Sequence, residues 1–487
     1  MIKYGFGGFI LKSIGKNYFY NLVYKLLAIL TPLIITPYIT RTLKVDAIGM
    51  YSYTFSIVSY FSIFGILGLD MLGQLQIAKV RDDQNELSKS FVNIFFSKCI
   101  TTFIVLALYI WFSLQFYKYR KMFLVLSIYI IANVIDISWL YQGIETFKSV
   151  MIKNVLIKSL TIVMIFLLVK KPSDIYLYAF ILQGSVFIGN VSLWININKI
   201  IKFEKPDIKR AGFYIKKSLI YFLPAIATLI YTTTDKIMLG AILNSDFQNG
   251  IYDQAHKIEQ TAITLISSLG IVLLPRLTYL NNQENEKEKL KKYIIGALDI
   301  TGLLEAPLMF GIMASASVLV PVFLGTDFLD AVGLLELFSL LILFSGANTM
   351  IGNSCLVSRG KQKEYNIGVF TSAMINVILN LLLIPIYKSY GAALASLASE
   401  IIVFVIFLHY SDKDIVSLSR LWKMWRSYLL YAFIMGIFVK LIGSLMGVSL
   451  ITLLIQIIFG ACLYFILLII KKNFWITNIL KSIKGAD

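Results

Sequence analysis

Unbroken apolar runs constrain this chain more than any other feature. Residues 450–470, "LITLLIQIIFGACLYFILLII", carry no charge, and comparable runs recur along the 487-residue sequence. At ~1.5 Å of rise per residue, about 20 apolar residues cross a hydrocarbon core ~30 Å thick as an α-helix. A membrane-spanning strand needs only about ten residues of alternating polarity, so these runs specify helices. Composition agrees: 58% of the residues are hydrophobic and 15% charged, against roughly 25% charged in soluble domains. The chain reads as an integral membrane protein.

The sequence predicts fourteen spans, at 17–40, 47–69, 90–117, 121–141, 150–169, 174–198, 213–242, 250–278, 292–323, 330–357, 362–386, 390–410, 424–446 and 449–470. An even count puts both termini on one side. With the termini in the cytoplasm, most of the 45 Lys and Arg fall in the tails and the loops on that side, as the retention of basic loops requires. The net charge of +18 is thus a topology signal, and no nucleic-acid partner is needed to explain it. Its densest part, "INKIIKFEKPDIKRAGFYIKK" between spans 6 and 7, suits anionic lipid headgroups. The start, "MIKYGFGGFILKSIGKNYFY", reads as an interfacial lead-in without a cleavage site.

No outer loop is longer than a short hairpin, and the longest cytoplasmic ones (70–90, 198–217 and 276–292) are about twenty residues. A membrane enzyme of polysaccharide assembly needs a larger aqueous part to hold an acceptor and its catalytic acids. No catalytic residues are expected. Cys99, Cys355 and Cys462 have no metal-site or disulfide spacing.

Self-similarity points to two bundles. "TPLIITPYITRTLKVDAIGMYSYTFSI" carries Pro32 and Pro37, a polar turn, then Gly49-Met50-Tyr51; "LPAIATLIYTTTDKIMLGAILNSDFQNGIYDQAHKI" carries Pro224, a polar turn, then Gly250-Ile251-Tyr252. Gly143 with Ala179, and Gly360 with Ala395, repeat a second spacing. The expected architecture is an all-α membrane protein: a six-helix lobe over 1–200, a second over 211–410, and helices 13 and 14 with a cytoplasmic tail over 411–487. A pseudo-two-fold axis along the membrane normal would relate the lobes, leaving a cavity between them.

"TTTDKIMLG" followed by "GIYDQAHKI" resembles the polysaccharide flippases (Wzx-like, for O-antigen and capsule repeat units) of the multidrug/oligosaccharidyl-lipid/polysaccharide exporter superfamily. The resemblance implies a MATE-like fold in a bacterial cytoplasmic membrane. It implies movement of an undecaprenyl-diphosphate-linked oligosaccharide from the inner to the outer leaflet by alternating access, with no covalent chemistry and no cofactor beyond a coupling Na+ or H+. The expected unit is a monomer among membrane lipids, with a polysaccharide polymerase and glycosyltransferases as partners. A drug or organic-cation antiporter of the same fold is the alternative, and the "DKIMLG" motif favours the flippase.

An ionisable residue at mid-membrane costs about 2.5–3.5 kcal/mol on insertion scales, so each one calls for an explanation. Lys98 and Lys158 either snorkel to the headgroups or face the cavity. Lys25 lies about 13 Å past Lys16 at helical rise and is assigned to the cavity. By the resemblance, Lys257 takes the place of a basic residue that contacts the diphosphate, with Lys236 a second cation. His256 points away and is expected to bond between helices. If Asp235 faces the interior of the second lobe, it meets Asn376, Asn380 and Ser396 or Ser399, whose oxygens suit sodium. Proton coupling and a buried helix residue bonded to backbone remain the other readings of Asp235. Asp136 and Glu400 are assigned to ion coupling or to balancing lysines, and Asp299 and Glu305 to structural pairs.

Overall fold

The computed structural model describes residues 5–281, 287–471, 473 and 475, and side chains from residue 31 on except 147, 149, 265, 267–276, 278–281 and 287. Among these residues the structure is helical throughout: α1 (Gly5–Ile66), α2 (Leu69–Val80), α3 (Gln84–Gln115), α4 (Arg120–Ile135), α5 (Ser138–Gly143), α6 (Phe147–Leu168), α7 (Ile175–Ser192), α8 (Ile208–Leu243), α9 (Asp246–Asn281), α10 (Lys287–Phe323), α11 (Ala331–Ile351), α12 (Gln362–Tyr410), α13 (Leu418–Met446) and α14 (Leu450–Ile470).

Eleven helical stretches are long and apolar enough to cross a membrane. They are fewer than the fourteen expected for two reasons. First, α1 and α12 each run through two expected spans and bend at one left-handed residue, Lys44 (φ 66°) and Lys388 (φ 55°), where the sequence suggested loops. Second, the eleven are counted among the described residues, and most of the apolar half of α9, from residue 265 on, lies outside them.

The expected cytoplasmic loop at 70–90 instead holds α2. The chain enters it through Gly68 (φ 74°), where a Cβ would stand 2.7 Å from the Phe222 nitrogen and 2.8 Å from the Ser218 carbonyl oxygen. Only glycine tolerates both that φ and that approach. Helix starts follow capping chemistry. Asp83 accepts from the Asn85 and Glu86 N–H groups, Ser417 from Arg420 and Ser449 from Thr452, each cap stabilising by about 1 kcal/mol.

Contacts divide the chain into two units, 1–237 and 238–487, a division that falls within α8. The first packs around Leu69, Ile77, Phe91, Trp139 and Leu193. The second packs around Leu298, Ile351, Phe407, Trp425 and Tyr464. At the end of α12, Asp412 is held by Arg359 at 2.6 Å and Lys361 at 2.9 Å. The hydrogen bond from Lys361, with both positive charges close by, lowers the Asp412 carboxyl pKa below its ordinary value against a smaller opposing effect of burial.

Candidate functional site

In the first unit the breaks around α2 and α5 bring charged side chains inward. Lys98 on α3 is fully buried, so it does not snorkel. Its Nζ donates to Asp70 Oδ1 at 2.6 Å and to the Asp136 carbonyl at 3.0 Å. Asp136 sits where α4 gives way to α5, and its Oδ1 accepts from the Ser138 N–H at 2.8 Å. Lys153 on α6 lies 3.5 Å from the same carboxylate and donates to Ser138 Oγ and Asn190 Oδ1, both at 2.9 Å. Asn190 Nδ2 closes the network on the Ala132 carbonyl at 2.8 Å. Asp136 thus balances lysine, one of the two roles its position suggested. Asp70, Lys153 and Asn190 were not singled out in the sequence.

Asp235 on α8 is buried and falls in the first unit, with Lys236 half-buried beside it. The preceding residue, Thr234, shares a 2.6 Å hydrogen bond with the Tyr60 hydroxyl. Lys25 lies on α1, but its side chain is outside the described residues. The other expected ion ligands belong to the second unit. Asn376 and Asn380 are one helical turn apart on α12, both buried, with Asn380 Nδ2 donating to Asn376 Oδ1 at 3.0 Å. Ser396 Oγ donates to the Ala392 carbonyl at 3.1 Å and lies 3.4 Å from the Tyr252 hydroxyl. Ser399 is turned to the Ala395 carbonyl at 2.8 Å.

α9 carries the densest polar face of the second unit. Lys257 Nζ sits 2.5 Å from Asp253 Oδ2; the lysine side chain is 44% exposed and the aspartate 3%. The buried acid therefore anchors a cation that still reaches outward. His256 stacks on Tyr252 and meets Phe338 of α11 edge-on, packing between the two helices. Asp299 on α10 accepts from Tyr428 at 3.0 Å and from Trp475 Nε1 at 2.7 Å, a structural role as expected. Glu305, expected to pair likewise, differs: neither of its oxygens has a hydrogen-bond partner. Glu400 accepts from Ser345 and Asn348 of α11.

A cavity of about 280 Å³ opens between α10, α13 and α14, lined by apolar groups such as Leu308, Ile312, Met435, Val439 and Leu453. Among the described residues, no group of three His, Cys, Asp or Glu side chains is placed to hold a metal ion.

A sequence profile described as "polysaccharide biosynthesis protein" matches residues 14–281. A protein of Shigella dysenteriae named as an O-antigen transporter is 25% identical over 383 residues, covering 78% of this chain and 95% of that one. Lipid II flippase MurJ, in an inward closed conformation, superposes with a TM-score of 0.74 at 17% identity, over 94% of this chain and 99% of that one. A multidrug resistance MATE family transporter, inward-facing, gives 0.56 at 14% identity, over 81% and 96%. Identities this low establish a MurJ- and MATE-like fold, and the fold alone leaves the cargo open.

Proposed function

Because the chain belongs to the polysaccharide biosynthesis protein family, we propose that it is a flippase for surface polysaccharide. It would carry undecaprenyl-diphosphate-linked oligosaccharide repeat units from the cytoplasmic to the outer leaflet of a bacterial cytoplasmic membrane by alternating access. The observation that carries this reading is the similarity to the O-antigen transporter of Shigella dysenteriae over nearly the whole length of that protein. The family match favours glycan cargo over the drug cargo of other proteins with this fold.

Counting the two arms of α1 and of α12 separately, and adding α9 to the eleven stretches, gives fourteen crossings with both ends cytoplasmic. Two six-helix lobes, over 1–200 and 211–410, would then rock about a central site, with residues 411–487 appended. Lys257 meets the diphosphate, its ammonium held by buried Asp253 and still exposed. Lys25 and Lys236 supply further cations. Lys98, fully engaged with Asp70, reaches substrate only in a state where Asp70 releases it. The apolar cavity beside α13 and α14 suits part of the polyprenyl chain. Asp235, buried on α8, takes the coupling Na+ or H+. The protein acts as a monomer, alongside the glycosyltransferases that build the cargo and the polymerase that uses it.

Lys257→Ala is expected to abolish surface polysaccharide in cells while the protein stays in the membrane at normal level; full polymer production in that variant would sink the diphosphate role. In reconstituted vesicles, flipping that follows a sodium gradient would assign the ion at Asp235, and indifference to sodium would leave the proton.

A further inference from the structure

Three acids are buried inside the second unit: Glu259 on α9, Glu305 on α10 and Glu400 on α12. Glu259 and Glu305 both lie within electrostatic reach of Glu400. Their surroundings are unequal. Glu400 receives Ser345 Oγ at 2.5 Å on one oxygen and Asn348 Nδ2 at 2.6 Å on the other, the two donors that a carboxylate needs. Glu305 is 0% exposed, and among the described residues no donor reaches either of its oxygens. It lies against Gly346 of α11, where a Cβ would stand 1.7 Å from Oε1. Among the described residues Glu259 has no donor in full hydrogen-bonding geometry, the neighbouring Gln260 amide being the side chain closest to serving as one, and the His256 Nε2 is 3.9 Å from its Oε2.

A separate observation marks the same place as a binding site. Asn348, whose Nδ2 holds Glu400, keeps its own Oδ1 buried and unpartnered. That oxygen is an acceptor with no donor supplied by the protein. An apolar cluster of Ala262, Ile263, Ile266 and Ile342 packs along the same helices and excludes water. The remaining titratable groups brought to α10 are occupied elsewhere: Tyr428 of α13 donates to Asp299, and Tyr464 of α14 to the Leu303 carbonyl. A charged carboxylate left without donors in such surroundings costs several kcal/mol. A metal ion is a poor remedy, since no three acidic, imidazole or thiol groups among the described residues are placed to share one.

We propose that Glu259, Glu305 and Glu400 form an exchangeable proton-carrying site, in which Glu305 and Glu259 hold protons beside ionised Glu400 and His256 passes them to and from water. In each transfer the O–H bond of Glu259 breaks and an N–H bond forms on His256 Nε2, leaving a carboxylate beside an imidazolium. The half-buried imidazole then releases its proton outward. The site itself stands without the flippase reading; only its use, tying transport to a proton gradient, rests on that reading.

Infrared spectroscopy of the purified full chain in lipid nanodiscs reads the protonated carboxyl stretch directly. The wild type is expected to show that band at neutral pH, to shift it in D2O and to lose it reversibly as the pH is raised. Glu305→Gln and Glu259→Gln should each remove part of it while melting like the wild type. A band that is absent, that neither titrates nor exchanges, or that survives both substitutions would overturn the proposal. In proteoliposomes, with a fluorescent polyprenyl-diphosphate N-acetylglucosamine as probe, an imposed pH gradient should raise wild-type flipping about fivefold or more. Glu305→Gln should flip at a rate indifferent to that gradient, and full gradient sensitivity in the Gln variants of all three acids refutes the coupling. A wild type that moves no probe counts against the flippase reading alone, and the infrared titration still decides the site.

Discussion

The lysine–aspartate network of the first unit and the buried glutamates of the second treat charge in opposite ways. In the first, Lys98 and Lys153 meet Asp70 and Asp136, with Ser138 and Asn190 filling the remaining hydrogen-bonding positions. In the second, Glu305 and Glu259 lie beside a third acid, and hydrogen-bond donors are supplied to that acid only. A satisfied pair fixes one arrangement of the helices around it, because either partner alone would be a buried uncompensated charge. An acid without a partner fixes nothing by its charge, and its protonation is free to change as its surroundings move. The lysine–aspartate network therefore carries charge as a structural tie, and the unpaired glutamates carry it as a load.

Three substitutions bear on this contrast, in descending size. Lys98→Met should cost about 2–3 kcal/mol, less than for a fully buried pair because the Asp70 left behind is 41% exposed, measured by denaturation of the purified protein in detergent. Adding Asp70→Asn to that variant should restore more than half of the loss; a Lys98→Met protein as stable as the wild type would break the contrast. Gly346→Ala should cost about 1–3 kcal/mol through overpacking against Glu305. Combining it with Glu305→Ala should relieve most of that cost, and strict additivity in the double-mutant cycle would deny the contact.

The smallest effect concerns Asp412, an exposed counterpart to the buried pairs. Its pairing with Lys361 and Arg359 lowers its folded pKa, so its stabilisation is fully present above the unfolded carboxylate value of about 3.9 and is lost as pH falls through the lower folded value. Asp412→Asn should thus destabilise by under ~1 kcal/mol at pH 7, with the difference from the wild type vanishing in acid. A difference that persists unchanged at the acid end would mean the aspartate acts through packing.

Much of the fold is legible in the apolar runs, since their length alone separates helix from strand and locates α3, α6, α10, α13 and α14 to within a few residues. The joins were harder. Lys44 and Lys388 bend helices without the Gly or Pro that marks a turn, and α2 fills a stretch too polar and too short to read as a span. At the candidate site, the motif flagged Lys257, and the i,i+4 spacing of Asp253 within the same motif was the signal for the acid that anchors it.

The order of residues alone sets the class of fold and the presence of ionisable residues among apolar ones. A helix in a bilayer is apolar on the side facing lipid and on the side facing its neighbours, so it has no polar stripe from which an inward face can be read. Which charges meet was therefore decided by tertiary structure. Helix packing set Lys98 against Asp70 across 28 residues of chain, and placed Glu305 against the bare Cα of Gly346, where no donor follows.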